Sequence, residues 1–305
     1  MGRKDKIDIA TGVIIINKHE GVTSHRIVQI LRRLFDTPRI GHTGTLDPMA
    51  TGVLPILVGR AVKASDFLVA EDKEYVAEMT LGIVTDTDDI TGEVLTKTDI
   101  IPSEEAVFEA IDSFIGEIEQ IPPMYSAIKV DGRKLVDLAR EGITVERKSR
   151  KVKINSIKAE KIEENRYKMV VSCSKGTYIR TLCHDIGEKL GCGAAMSALN
   201  RTRSGSFTLE ASHTVEELEA LTIEERAALI KPTEELFADC PAISVNDFYA
   251  KLIRGGTELY QKKLSTCYEI GQYVRIKHNG VFIALGQVAD FESGSAVRPV
   301  KLFVL

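Results

Sequence analysis

Cysteine chemistry is nearly missing from this chain. Its five cysteines, Cys173, Cys183, Cys192, Cys240 and Cys267, form no C-x-x-C pair, and their odd number leaves one without a mate. Neither a zinc site nor a disulfide framework is expected from this spacing, and reduced thiols in a cytoplasmic protein are. No apolar run approaches the roughly 20 residues of a membrane helix. Residues 1–6 are charged with no apolar segment behind them, so no secretory leader is expected. G-x-x-x-x-G-K-[ST], G-x-G-x-x-G and H-E-x-x-H are all absent, which removes the common nucleotide-phosphate, dinucleotide and zinc-hydrolase motifs. Asp86-Thr-Asp88-Asp89-Ile-Thr-Gly92 invites a calcium reading, but its glycine comes one place late and Lys97 stands where the closing glutamate belongs. It reads as an acidic loop.

The chain has 305 residues, 44% of them hydrophobic and 28% charged, which suits one large domain with a small one appended. The net charge of −4 hides a division. Residues 71–123 carry 2 Lys/Arg against 15 Asp/Glu, whereas residues 124–158 carry 10 against 4. A polyanion would be met by the basic segments, with the acidic block turned away.

No lysine or arginine lies between Arg39 and Arg60, yet this stretch holds a carboxylate, Asp47, among Gly41, Gly44, Gly52 and the hydroxyls Thr43, Thr45 and Thr51. The glycines mark a shaped loop, and Pro48 pushes Asp47 out of the α region, which pins its direction. Any cationic partner of Asp47 must come from elsewhere in the fold. Asp-Pro also initiates plain turns, so composition alone leaves that reading open.

Around this loop the chain alternates strand and helix patterns. Gly12-Val-Ile-Ile-Ile-Asn17-Lys18 reads as a buried strand, with Lys18 at its end either solvated or contacting phosphate. Ser24 reads as the N-cap of a helix with Ile27, Val28, Leu31, Leu34 and Phe35 on one side. Residues 53–58 read as a strand, followed by a short helix carrying Lys63, Phe67 and Leu68. Residues 73–83 alternate, with Tyr75 on the core face. Ser103 starts a helix with acids in its first turn, and Val130-Asp131-Gly132-Arg133 is a hairpin turn. The cluster Arg147, Lys148, Arg150, Lys151 and Lys153 closes the basic block. Tyr167, Met169, Val171 and Cys173 alternate as a strand, and from Ile179 the apolar positions turn helical, leaving Tyr178 and Arg180 at the strand-to-helix junction, off the core face. Cys183-His184 is no nucleophile pair, because adjacent helical side chains point apart. Leu199 reads as core, and Arg201 and Arg203 alternate onto one face. Beyond residue 241 come a short helix ending at Gly255-Gly256 and three strand-like runs, two of them joined at Asn279-Gly280.

Residues 42–55, with their fixed glycine and proline positions, resemble the signature of the pseudouridine synthases that modify uridine 55 in the T-arm of tRNA. Later stretches extend the resemblance over nearly the whole chain, in the bacterial stand-alone form. It implies an α+β protein. Residues 1–240 would form a mixed, largely antiparallel sheet flanked by helices, with a flexible basic thumb at about 124–153. Residues 241–305 would form a small β-barrel-like (PUA-like) RNA-binding domain. By the same resemblance Asp47 is the nucleophile, Tyr75 stacks on the uracil and accepts a proton, and Arg180 pairs with Asp47. Tyr178 and Leu199 then line the uridine pocket, and His42 fills the space the flipped base leaves. Lys18, Lys63, Arg201 and Arg203 join as RNA contacts.

That chemistry moves no atoms in or out, so no cofactor or metal is expected. It needs one ionised carboxylate in a pocket that excludes water, and a guanidinium beside Asp47 is expected to lower its pKa. The partner is the tRNA T-arm stem-loop; the chain is expected to act as a monomer without an obligate protein partner. Two other readings remain: a non-catalytic RNA-binding protein, and an aspartate-nucleophile phosphohydrolase, although Met49 stands where the latter usually has a second acid.

Overall fold

The computed structural model describes residues 11–68, 72–264 and 266–304. The segment on which the leader reading rests, residues 1–6, lies outside them. A large sheet is built from β1 (Gly12–Lys18), β2 (Thr51–Val58), β3 (Lys73–Leu81), β4 (Gly116–Gln120), β5 (Arg150–Glu163), β6 (Arg166–Cys173) and β7 (Ala194–Ser204). Its strand order is β1-β2-β7-β3-β6-β5-β4, with Lys231–Pro232 outside β1. Pairing is antiparallel except between β2 and β7, where Thr51 faces Asn200 and Gly52 faces Arg201 in parallel. This is the mixed, largely antiparallel α+β architecture expected.

Burial explains the sequence patterns. β1 and β2 are covered on both faces and are therefore continuous apolar runs. β3 is covered on one side, and only Tyr75, Ala77, Met79 and Leu81 alternate into the core beyond its first residue, Lys73. Helices α1 (Ser24–Leu34), α2 (Glu104–Asp112) and α3 (Ile179–Leu190) supply Ile27 and Leu31, Val107 and Ile111, and Leu182 and Ile186 to that core. On the opposite side of β1 and β2, Val13, Ile15, Val53 and Leu57 pack with Phe237, Phe282, Leu285 and Phe303. The C-terminal unit thus closes the back of the sheet.

That unit consists of β8 (Ala242–Val245), α4 (Asp247–Arg254), β9 (Leu259–Tyr260), β10 (Tyr273–His278), β11 (Val281–Ala289) and β12 (Ala296–Leu302). The strands form a curled sheet in the order β8-β10-β11-β12-β9. Asn279 (φ 49°) and Gly280 (φ 80°) make the expected tight turn between β10 and β11.

Three details differ from the sequence expectation. Thr23, not Ser24, caps α1 by accepting from the Arg26 N–H, which leaves the Ser24 hydroxyl free for another use. Arg150, Lys151 and Lys153 belong to the 14-residue strand β5, so the basic insertion outside the sheet covers residues 121–149. A bulge between Ile154 and Ser156 shifts the alternation of β5 midway and breaks the strand signal. Third, Ile115, which helical spacing from Ser103 puts on the buried side with Val107, Phe108, Ile111 and Phe114, projects to solvent beyond the end of α2.

The organisation of β2 opens the site. One edge of this strand pairs with β7 at Thr51 and Gly52, then with Ile40–His42 at residues 56–58. Pro55 falls in the gap, where no ladder N–H is required, and its carbonyl accepts from Thr43. Through that gap residues 43–50 leave the sheet. At the return point Gly52 has φ 100°, and an added Cβ would overlap the Arg201 carbonyl and the Asn200 side chain. Gly52→Ala is therefore expected to destabilise the protein by about 2–4 kcal/mol through strain and overlap together. Thermal unfolding should show Tm falling by about 5–10 °C; an unchanged Tm contradicts the tight β1–β2–β7 junction.

Candidate active site

Asp47 stands in the loop between residues 43 and 50, and its flanking peptides are tied from below. The Ser24 hydroxyl donates to the Leu46 carbonyl (3.0 Å) and accepts from the Leu46 N–H (2.9 Å). The Pro48 carbonyl accepts from Lys18 Nζ (3.2 Å) and from the Gly21 N–H (2.8 Å). Arg201 supports the start of the loop, with Nη2 donating to the Gly44 carbonyl at 3.0 Å and Nε to the Val53 carbonyl at 2.7 Å.

The cation that the local sequence lacks comes from the first turn of α3. Arg180 Nε lies 3.0 Å from Asp47 Oδ2 and Nη2 lies 3.4 Å from Oδ1. The remaining donors reach the Thr87 carbonyl (3.0 Å), Asp89 Oδ2 (3.5 Å) and the Tyr125 carbonyl (2.9 Å). Three of these contacts are hydrogen bonds, from Nη1 to Thr87 and from Nη2 to Asp47 and Tyr125; the Nε–Asp47 and Nη1–Asp89 approaches are ion-pair contacts. The Arg180 side chain is 5% exposed and that of Asp47 is 34% exposed, so the carboxylate is open on the side away from its partner.

The charge balance differs from the simple expectation. Burial pushes the Asp47 carboxyl above the ordinary aspartate value; Arg180 and Lys18 pull it back, and Asp89 adds to the rise. The guanidinium acts in the expected direction but is outweighed. Asp89 is a site residue that the sequence reading left in an acidic loop. Its Oδ1 accepts from the Thr91 N–H (2.9 Å) and the Thr87 hydroxyl (3.1 Å), while Oδ2 faces Arg180. Threonines two residues to either side were the available signal of a carboxylate held in its own nest.

Tyr75 and Leu199 lie in the main core, at 7% and 8% exposure, on the adjacent strands β3 and β7. The Tyr75 hydroxyl is approached by the Arg201 guanidinium, and burial pushes its pKa up. Tyr178 is half-buried; its backbone is held by the Gln120 side chain (3.0 and 3.2 Å), and burial pushes the pKa of its hydroxyl up. His42 ends Ile40–His42 with Nδ1 buried and unpaired; burial and the charge of Arg201 lower its pKa and favour a neutral ring. Cys183 is fully buried with its thiol pushed far up, and His184 turns to Asp88 at 3.4 Å, which agrees with setting this pair aside.

Four basic residues sit differently from the RNA contacts expected of them. Lys18 is fully buried, and its three N–H groups go to the His19, Val22 and Pro48 carbonyls, so none is left for phosphate. Burial lowers its pKa to about 8, against the opposing pull of Asp47. Arg201 is 1% exposed and braces the loop. A bulge between Arg201 and Arg203 sets them opposite Tyr75 and Glu74, hence on opposite faces of the sheet. Arg203 is half-buried and bonds the Gly205 carbonyl (3.2 Å). Lys63 is exposed, but its Nζ donates to the Leu302 carbonyl (3.1 Å), at the seam with the C-terminal sheet. The exposed bases are instead Lys129, Lys134, Lys148, Lys151 and Lys153, in or beside the insertion whose Tyr125 holds Arg180.

Residues 32–179 match the model of the TruB family pseudouridylate synthase N-terminal domain, and residues 180–238 that of the tRNA pseudouridylate synthase B C-terminal domain. The chain is 44% identical over 294 residues to tRNA pseudouridine synthase B of Clostridium tetani, spanning 96% of this chain and 99% of that one. To the protein of the same name from Alkaliphilus oremlandii it is 46% identical over 281 residues, or 92% and 93% of the two chains. Among solved structures, a chain of a Cbf5–Nop10–Gar1 complex superposes with a TM-score of 0.72 at 29% identity, over 96% of this chain and 85% of that one. A chain of an H/ACA RNP bound to a substrate RNA containing 2′-deoxyuridine gives 0.70 at 27% identity, with the same coverage.

The balance at Asp47 is open to direct titration. Its carboxyl carbon, followed by NMR, is expected to titrate above the ordinary aspartate midpoint near ~3.9. In Arg180→Lys, which lacks the planar fork, the midpoint should move higher still. A native midpoint at or below the ordinary value contradicts the order of the two effects.

Proposed function

The chain belongs to the TruB family of pseudouridylate synthases, and we propose that it converts uridine 55 in the T-arm of tRNA to pseudouridine with Asp47 as the nucleophile. It is an isomerase acting on uridine in tRNA. Membership of this family sets aside the non-catalytic and phosphohydrolase readings. One observation carries the assignment of Asp47: the only acid in its loop lies against a buried guanidinium contributed 133 residues later, while its free side faces solvent.

The reaction detaches uracil from ribose and rejoins it through carbon, so the site must hold the base and keep water from the intermediate. A stacked base is out of reach of Asp47, and flipping the nucleotide out costs a few kcal/mol. His42, held neutral at the mouth of the loop, fills the place the base vacates. Tyr75 and Leu199 form the apolar floor, and Tyr178 closes the side next to Arg180. Arg180 keeps the carboxylate aimed and favours its ionised form against burial, which works the other way. Activity should therefore fall as pH drops through a midpoint above the ordinary aspartate value, since only the ionised carboxylate attacks.

The exposed lysines of the insertion and of β5 meet the phosphates of the T-arm stem, and the insertion works as a thumb that closes on it. Residues 241–305 act as a PUA-like RNA-binding unit. The protein works as a monomer and requires no cofactor.

Nucleoside analysis of an unmodified tRNA transcript incubated with the pure protein tests the reading, together with tritium release from C5-labelled uridine. The native protein should form pseudouridine at position 55. Asp47→Asn should lose roughly 10³-fold or more in turnover and keep tRNA affinity within about threefold. Substantial turnover by this variant removes Asp47 from the nucleophile role.

A further inference from the structure

The β1–α1 connection does more than join two elements. Ser24 is 1% exposed and is not needed as a helix cap, because Thr23 already accepts from the Arg26 N–H at 3.0 Å. Its hydroxyl instead satisfies both backbone groups of Leu46, donating to the carbonyl at 3.0 Å and accepting from the N–H at 2.9 Å. Leu46 is itself 3% exposed and its side chain sits in the main core. No water reaches these groups, so they would be buried and unpaired without Ser24. On the far side of Asp47, the Pro48 carbonyl is held by Lys18 and Gly21. Asp47 is thus one residue suspended between two anchored ones.

From this geometry we propose that Ser24 is a positioning residue for the isomerisation, fixing the peptide before Asp47 so that the carboxylate meets both Arg180 and the flipped nucleotide. The proposal rests on Asp47 being the nucleophile. Ser24 touches no surface that RNA can reach, so its effect falls on the chemical step and not on binding. Misplacing a reacting group by about 1 Å costs on the order of 10²-fold in rate.

Steady-state and single-turnover kinetics of Ser24→Ala, Ser24→Thr and Asp47→Asn test this together. Ser24→Ala should lower kcat by roughly 10–100-fold, with the KM for tRNA within about twofold of native. Ser24→Thr, which retains the hydroxyl, should recover most of kcat. Should the alanine variant fail to fold, Ser24→Cys keeps nearly the same volume with a poor hydrogen-bonding atom, and the same loss of kcat is expected. The proposal is overturned by native kcat in Ser24→Ala or Ser24→Cys, by equal impairment of the alanine and threonine variants, or by a change confined to KM. Asp47→Asn separates the two ideas. If it is inactive while Ser24→Ala is fully active, only the role of Ser24 falls; if it turns over, the nucleophile reading falls first.

Discussion

The structure depends on one buried guanidinium that three separate segments share. Arg180 meets two carboxylates and two backbone carbonyls, and these come from the Asp47 loop, residues 87–89 and the base of the insertion at Tyr125. A buried ion pair on its own gives little net stability, because desolvation offsets the Coulomb gain. What makes this one tenable is that the charge meets two carboxylates and also donates to two backbone carbonyls, so it is compensated from three directions. The same sharing constrains the fold. The three segments must stay assembled, because withdrawing any one removes part of the compensation of a buried charge.

The charges at Asp47 are set close to opposition. Burial raises its pKa and Asp89 raises it further, while Arg180 and Lys18 pull it down. In the nucleophile role proposed for it, Asp47 gains from this arrangement. A carboxylate fully neutralised by its partners would be a poor attacker, and one fully desolvated would be protonated. Lys18 is balanced in the opposite sense, lowered to about 8 by burial and raised by Asp47. Basic residues therefore divide into two groups. Lys18, Arg180 and Arg201 are buried and hold backbone carbonyls, whereas the lysines of the insertion and β5 are exposed. Of these two, the second group is the one available to a polyanion.

How much of this was legible depended on whether the information was local. The Asp47 loop, β1 and β3 could be read because glycine, proline and alternation act over a few residues. The Asp131-Gly132 and Asn279-Gly280 turns could be read because positive φ at consecutive positions has a short residue signature. Bulges defeated the reading twice, hiding β5 and placing Arg201 and Arg203 wrongly on one face. Lys18 and Arg201 were misjudged for a different reason. A long basic side chain has the same letter whether it is solvated or threaded under a loop, and only the fold shows which carbonyls surround it. Asp89 lies in a loop that fails a calcium template, and its local signal is instead the threonines that hold it, Thr87 and Thr91.

The same carbonyls explain why so short a loop can aim a reactive group. Gly44 is held by Arg201, Leu46 by Ser24, and Pro48 by Lys18 with Gly21. Every second residue is therefore tied to a different part of the fold, while of the intervening ones Thr45 is exposed and Asp47 is partly exposed against Arg180. A strand would impose the same alternation through a neighbouring strand, but it would also occupy the edge that substrate must approach. Replacing the neighbour with side chains reached from below keeps the alternation and leaves the approach open. The gap at Pro55 belongs to the same solution, since it is where β2 gives up a ladder partner so that the loop can leave the sheet. Asp47 is then held as firmly as a strand residue while its side chain stays partly exposed, which is the combination the proposed attack on a macromolecular substrate requires.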